Sequence, residues 1–583
     1  MTPDRIGPEG RFDAFANGEV LFNKKKNHLP AMGWNSWNAF GSGNTEALTK
    51  VMADKFIELG LDKLGYQYII LDDGCYKDKR VDGKLSNDEV KFPSGFRALA
   101  DYIHEKGLKF GMYNDIGTNL CAGAEVGTCG HEDEDAKSYI EWGVDFLKVD
   151  NCYYLWDNAT FSNAENARYT FAPNIRAVKI GGEEFSCADL GKNEAIRLTG
   201  ERAVLEDDHI TGLGTYDGTG PDASPVGPRS SELLIDFDAE KDGEATVLVE
   251  YASGKKEGQG QWLQVAVGQE LFFDDFLDET SDESSFTWSK EIKVTVKKGK
   301  NTLRIMNHRR QENTLNSYAR LLKELYRVNP DHDIIYSACE WGKTHPQNWA
   351  YKVCDSWRIL NDITFRVGAD GDPGHGAWVE DYTTSVTTQY NKAVIMDEFA
   401  GLDKGWNDPD MMMIGMNGLD MTQNKTHMAM WSMMNSPLML GLDLRRVKKG
   451  DEIYNIISNK DLIAINQDSL GIQAKRVYSS IAKESPDKEY IRDINRVDIL
   501  CKPLSGGRFA LSFINVSQED KSETYSIEVA DLKKALGDKI LEGKSFTVKD
   551  VYTGETTENT TGVFEVNGLA ACDNVTVIVS PKA

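Results

Sequence analysis

Phe146-Leu147-Lys148-Val149-Asp150-Asn151-Cys152-Tyr153 (FLKVDNCY) decides how the rest of the chain is read. The segment reads as a buried strand that carries a lysine and an aspartate two residues apart and runs out into a cysteine. Side chains at i and i+2 of a strand share a face, so Lys148 and Asp150 lie together at its C-terminal end. A nearby ammonium favours the ionised carboxylate, and an ionised carboxylate fixed at a strand end is equipped to act as a nucleophile. Taken alone, the pair reads equally well as a satisfied ion pair on a barrel rim.

Outward from this strand the chain alternates. Met32–Trp37, Tyr66–Asp73, Leu108–Asp115 and Val144–Asp150 read as strands, with helices at Asn44–Leu59, Gly95–Lys106 and Glu134–Trp142 between them. Each apolar strand ends in polar or charged residues and a helix comes next. That is the pattern of an α/β fold, a parallel (β/α)8 TIM barrel whose polar strand ends form the top face. The alternation occupies residues 1–154 and then stops. Residues 155–312 carry short alternating strands between glycine-rich turns, among them Glu232–Asp236, Ala245–Tyr251, Trp262–Val267, Ile292–Val296 and Thr302–Ile305. This predicts an all-β sandwich inserted into a loop at the top of the barrel. The barrel pattern resumes over 313–472, with a helix at Asn313–Val328, a strand at Asp333–Trp341 and strand ends within Asp355–Asp362 and Gly405–Met411. Ser436–Leu440 closes the ring and Lys460–Asn466 is a late helix. Residues 473–583 return to alternating strands and predict a terminal antiparallel β-sandwich domain.

A chain of 583 residues calls for two or three domains. The net charge of −26, spread along the chain, disfavours nucleic acid and anionic membranes as partners, while twelve tryptophans suit a neutral sugar. No apolar run reaches the roughly 18 residues of a transmembrane helix. Met1 to Asn27 lacks the apolar stretch of a signal peptide, so the protein is expected to be cytoplasmic, or secreted with its signal removed. Nine cysteines without C-x-x-C spacing argue against structural zinc. Cys121 and Cys152 follow strand ends and Cys339 and Cys354 flank a short segment. Disulfides and buried thiols both remain open for them, and the odd count leaves at least one cysteine unpaired.

The strand ends concentrate carboxylates: Asp72 and Asp73, Asp150, Glu340, Asp362 and Asp410. Lys148, Arg358, Trp37, Tyr113 and Trp341 fall on the same rim. A polyhydroxylated ligand accounts for this mixture. Carboxylates accept from hydroxyls, the cations donate to them, and aromatic faces take the apolar side of a sugar ring. A divalent metal is the rival reading of the carboxylates, but no histidine-rich spacing accompanies it.

The strings MGWNSW, LDDG, FLKVDNCY, YSACEWG, SWR with ILND, GWNDPDM, NSPLML and INQD resemble, in order, glycoside hydrolase family 27, the alpha-galactosidase family. They cover residues 31–153 and about 313–470, and the terminal β domain has the family's placement. The resemblance implies a retaining alpha-galactosidase that needs no cofactor and acts on an alpha-galactosyl oligosaccharide or glycoconjugate. It implies Asp150 as nucleophile, Asp362 as acid and base, Asp72 and Asp73 as the seat of the O4 and O6 hydroxyls, and Lys148 and Arg358 on ring hydroxyls. It further implies Trp37 as the sugar platform, Tyr113 and Asp410 as lining residues, and disulfides Cys121–Cys152, beside the sugar, and Cys339–Cys354. The Cys339-Glu340-Trp341 group is bulky where alpha-N-acetylgalactosaminidases are small, and Asp72 favours a sugar with O6 over the beta-L-arabinopyranoside alternative. A catalytically inactive sugar-binding protein is the non-enzymatic alternative, which the presence of both Asp150 and Asp362 opposes. The chain departs from the family in the position of Cys75 and in the β insert. The insert reads as carbohydrate-binding-module-like or as a wall shaping the cleft, with a weak calcium signal in Glu206-Asp207-Asp208 and Asp274-Asp275.

Overall fold

The structure is a computed structural model that describes residues 24–153, 172–199, 203–214, 231–253, 261–380, 384–483, 485–540 and 543–582. Eight parallel strands form the central sheet: β1 (Met32–Asn35), β2 (Tyr68–Ile70), β3 (Lys109–Asp115), β4 (Phe146–Asp150), β5 (Ile335–Cys339), β6 (Ser356–Arg358), β7 (Trp406–Asp408) and β8 (Leu438–Leu440). They run in the order β7-β6-β5-β4-β3-β2-β1-β8. A bridge from Met412, just past β7, to Leu440 in β8 curls the ends together, which gives the (β/α)8 barrel.

The strands are shorter than their sequence pattern predicts. β1 stops at Asn35 because the Asn35 side chain accepts the Trp37 N–H and caps a short helix, Ser36–Phe40. β6 keeps only Ser356–Arg358, and residues 359–362 leave the sheet as a loop. The first long helix, Glu46–Leu59, is capped by Thr45 accepting from Leu48 N–H and stopped by Gly60 in the left-handed region.

Side chains alternate along each strand, so β4 sends Phe146, Lys148 and Asp150 into the barrel at rising levels. Phe146 joins Tyr68, Ile70, Ile335, Met411 and Met439 in an apolar plug at the base. Gly111 of β3 is glycine for lack of room, since a Cβ there would lie 2.6 Å from an Ile70 methylene and 3.1 Å from the Phe146 Cβ. Above the plug the interior turns polar, and the charged groups collect there.

Between the two halves of the barrel, strands from Asn174–Ile180 to Gly299–Met306 build one seven-stranded and one five-stranded sheet. They enclose their own core, including Val178, Val249, Leu263 and Ile305. The expected junction at 154–155 falls outside the described residues. So do residues 1–23, most of the Met1 to Asn27 stretch expected to lack a signal peptide. Among the described residues no helix is long and apolar enough to cross a membrane. At the C-terminus, a six-stranded sheet and a two-stranded sheet of Lys521–Glu528 with Val563–Leu569 form a β-sandwich. Phe509, Phe546 and Phe564 meet edge to face inside it.

Cys121 and Cys152 are joined as a disulfide with Cα atoms 5.3 Å apart. The Cys339–Cys354 pairing is corrected: both are free and buried. β5 and β6 pair Ser337 with Ser356 and Ala338 with Trp357. That register sets Cys354 beside Ile335, about 13 Å along the strands from Cys339, well beyond the roughly 7 Å limit of a disulfide. Cys75, where the chain departs from the family pattern, is likewise free and buried.

Candidate active site

A cavity of about 380 Å³ opens at the C-terminal ends of the strands. Its wall includes Trp37, Asp72, Asp73, Tyr113, Lys148, Asp150, Trp341, Asp362 and the Cys121–Cys152 bridge. A larger groove, about 940 Å³, runs between the insert and the barrel flank, but none of the expected site residues lines it.

Lys148 corrects the reading of the FLKVDNCY segment. Its ammonium reaches Asp72 at 2.7 Å rather than pairing with Asp150. Lys148 and Asp150 share a face of β4, but the long lysine leans sideways over the Tyr113 ring, 5.4 Å from its centroid, to a carboxylate beyond β2. Burial works against this ammonium, yet Asp72 above all holds its pKa well above the ordinary lysine value. Asp72 also accepts from the Asn35 amide at 2.8 Å, and its own N–H donates to Ser36 Oγ at 2.9 Å.

Asp73 accepts from Gly74 N–H at 2.6 Å and from Ala122 N–H at 2.7 Å, which ties the loop after β3 to the loop after β2. Burial pushes its carboxyl up to about 6, with the Ala122 N–H opposing and the Asp72 charge adding.

Asp150 takes the Tyr113 hydroxyl at 3.0 Å on Oδ2 and the Asn151 N–H at 2.9 Å on Oδ1. Cys121 Sγ packs 3.6 Å from Oδ2 and has no proton to donate, being bonded to Cys152. Next to Asp150 in register stands Asp115 at the end of β3, fully buried. It accepts from Gly117 N–H at 2.6 Å and Cys152 N–H at 2.8 Å. Burial first, then the charge of Asp150, raises the Asp115 pKa well above the carboxylate range, against the opposing pull of those two N–H groups. Asp115, Asp150, Cys121 and Cys152 bring four ligand-type atoms within 4.8 Å of one another. The two sulfurs are spent on each other, which leaves only two carboxyl groups to a cation.

Asp362 sits four residues beyond Arg358, whose Nη2 donates to it at 3.1 Å. Its side chain keeps 19% of its surface, turned to the cavity, while the surrounding protein encloses the rest. Burial raises its pKa to about 6; Arg358 opposes the rise, and Asp410 and Asp150 add to it.

Three expected residues stand behind the wall. Arg358 is buried and joins Asp362 to Asp410, with Nη2 2.9 Å from the Asp410 carboxylate. Asp410 also accepts the Ile363 N–H at 2.7 Å and so fixes the backbone next to Asp362. Glu340 is buried with its carboxylate turned back on its own loop, where it accepts from Thr344 N–H at 3.0 Å and Oγ1 at 2.8 Å. That loop holds Trp341 at φ +62°, a left-handed conformation that turns the indole to the cavity.

Phe365, Val367 and Ala122 also line the cavity, and the sequence pattern did not mark them. They sit in loops, where no periodicity singles out a residue. The acidic runs with a calcium-like composition lie in the insert, away from this cavity. Glu206-Asp207-Asp208 forms an exposed turn, and the Asp274 carboxylate accepts the Trp262 indole N–H at 2.5 Å.

The profile of the alpha galactosidase A family matches residues 29–177 and 299–468, more than half the chain, on either side of the insert. The profile of the alpha galactosidase C-terminal beta sandwich domain matches residues 495–573. An alpha-galactosidase of Oryza sativa is 26% identical over 85% of this chain and 73% of its own length. Alpha-galactosidase A of Cellvibrio japonicus is 25% identical over 90% of this chain and 86% of its own. The alpha-galactosidase of Saccharomyces cerevisiae, solved with raffinose, has the same fold at a TM-score of 0.59 and 21% identity, over 95% of this chain and 98% of its own.

Proposed function

The chain belongs to the alpha-galactosidase A family, and from that premise we propose that it removes terminal alpha-D-galactosyl residues by double displacement, with Asp150 as nucleophile and Asp362 as general acid and base. The observation that carries the proposal is the opposed setting of two carboxyls on one cavity. Asp150 is fixed by a hydroxyl on one oxygen and a backbone N–H on the other, while burial raises the pKa of Asp362 so that it can carry a proton.

In the first step an Asp150 oxygen forms a bond to the anomeric carbon while the bond to the glycosidic oxygen breaks. Asp362 gives its proton to that oxygen, and the leaving group departs as an alcohol. The galactosyl unit is then an ester of Asp150. Asp362, now a carboxylate, takes a proton from water as the water oxygen attacks the same carbon. Asp150 is released, and galactose leaves with its configuration retained.

Asp72 and Asp73 are the hydroxyl seat, with Lys148 both a donor to the sugar and the counter-ion that keeps Asp72 in place. Trp37 is the platform for the apolar face of the ring. Arg358 and Asp410 act through Asp362, and Glu340 through the loop that carries Trp341. The raffinose bound to the Saccharomyces enzyme supports an alpha-galactosyl oligosaccharide as substrate here. The bulk of Trp341 in the wall supports rejection of an N-acetyl sugar.

Release of 4-nitrophenol from the alpha-galactoside, compared with the alpha-N-acetylgalactosaminide and the beta-L-arabinopyranoside, tests the assignment. Galactoside turnover well above the other two is expected. An absence of galactoside turnover would sink it.

A further inference from the structure

Phe365 exposes 44% of its surface, although it is a large apolar side chain on the wall of a polar cavity. An exposed phenyl ring is ordinary when its loop is slack, but this loop is pinned on both sides of Phe365. Thr364 Oγ1 donates to the His375 carbonyl at 2.7 Å, and the Arg366 N–H returns to Thr364 Oγ1 at 3.0 Å. The His375 N–H closes the strap on the Arg366 carbonyl at 2.9 Å, and the Gly368 N–H donates to the Asn38 carbonyl at 2.7 Å. Val367, also on the wall, packs against Gly41, where a Cβ would come within 3.2 Å of its methyl. The backbone that carries the ring is thus held in place before any ligand arrives, which lowers the ordering cost of stacking on it.

Its position assigns its contact. Phe365 lies three residues after Asp362, the group placed to protonate the glycosidic oxygen. That oxygen belongs to the leaving group, so the leaving group must extend from the galactose along the part of the wall nearest Asp362. The carboxylates and Lys148 that suit galactose hydroxyls belong to β4 and to the loop after β2. Phe365 and Val367 follow Asp362 on the loop after β6 and add an apolar stretch to the wall of the same cavity.

We propose that Phe365, backed by Val367, is the binding shelf for the leaving-group sugar of an alpha-galactosyl oligosaccharide, stacking the C–H face of its pyranose ring; this rests on the alpha-galactosidase reading above. The shelf selects among galactosides by the sugar attached to the galactose and leaves recognition of galactose itself to the inner cavity.

The test compares Phe365→Ala with wild type on two substrates that share the galactosyl group. One is the disaccharide galactosyl-alpha-1,6-glucose; the other is alpha-galactosyl fluoride, whose leaving group is one atom. The disaccharide kcat/KM is expected to fall about 3- to 12-fold, the worth of one stacked ring. The fluoride kcat/KM should fall no more than about twofold, and Phe365→Tyr should recover the disaccharide value. Equal losses on both substrates would mean that Phe365 only shapes the site, and an unchanged disaccharide value would remove the shelf; either outcome overturns the proposal. A wild type that releases no fluoride would overturn the alpha-galactosidase reading and the shelf with it, which separates the two failures.

Discussion

At the scale of single residues, the site divides two carboxyls by their surroundings. Asp150→Asn keeps the shape, the Tyr113 contact and the cavity but removes the nucleophile. Its kcat on galactosides is expected to fall on the order of 10⁴-fold or more, while galactose binding measured by calorimetry stays close to wild type. Asp362 must hold a proton when the glycosidic oxygen leaves, and its pKa is raised to about 6. The proton is present below that value and lost above it. For a sugar leaving group, kcat/KM should therefore decline about tenfold per pH unit above about 6. In Asp362→Asn that limb should vanish, with a loss of about 10²- to 10⁴-fold at the optimum. A limb that persists in the variant would assign it to another group; Asp73, also raised to about 6, is the first to examine.

These carboxylates were legible in the sequence because a barrel strand has one chemical direction, and the residues after its apolar run lie on the top face. The partner of Lys148 was not. The spacing of two residues reports a shared face along one strand, whereas the Asp72 contact crosses from β4 over β3 to the end of β2. Phe365 was not legible either, since a loop residue has neither period nor pairing to announce it.

At the scale of elements, the strands supply levels and the loops supply strain. The loop after β5 bends through Trp341 at φ +62° and Gly342 at φ +75°. A Cβ on Gly342 would lie 2.1 Å from the Ile359 carbonyl oxygen, and that oxygen belongs to the segment leading to Asp362. Gly342→Ala thus forces apart the two loops that carry Trp341 and Asp362. We expect a loss of about 1–3 kcal/mol in stability by urea unfolding. A fall in galactoside kcat larger than the change in KM should accompany it, because the acid is displaced more than the sugar seat. The existence and order of the strands could be read from the sequence, but their ends could not. β1 ends where Asn35 caps a helix, and β6 ends four residues before the aspartate assigned to it; both outcomes depend on local hydrogen bonds rather than on hydrophobic period.

At the scale of the whole molecule, the barrel and the C-terminal sandwich share a core. Leu500, Ala510, Ile514 and Val516 of the sandwich belong to the same apolar cluster as Trp357 and Met430 of the barrel. A buried charge network crosses the same interface. Asp498 accepts from Arg496 Nε at 3.0 Å and from the Tyr390 hydroxyl at 3.0 Å, and Arg496 Nη2 donates to the Asn391 amide oxygen at 2.6 Å. Tyr390 and Asn391 lie on the barrel helix Val386–Ala393, and Asp498 on the sandwich strand Val497–Pro503. Arg476 approaches the same carboxylate at 3.7 Å, and Arg476, Arg496 and Asp498 are all fully buried. Burial alone would raise the Asp498 pKa, but Arg496 and Arg476 outweigh it and hold the carboxyl below its ordinary value. A carboxyl depressed in the folded state stabilises the fold above its unfolded pKa, and that contribution is lost as pH falls through the folded one. Asp498→Ala leaves two guanidinium groups without their shared counter-ion in a site that water does not reach. The expected cost is about 3–5 kcal/mol by chemical denaturation at pH 7, a small gap between variant and wild type in strong acid, and a single unfolding transition monitored by both activity and fluorescence. Two separate transitions in the wild type would mean that barrel and sandwich unfold independently, and the shared core would then not couple them.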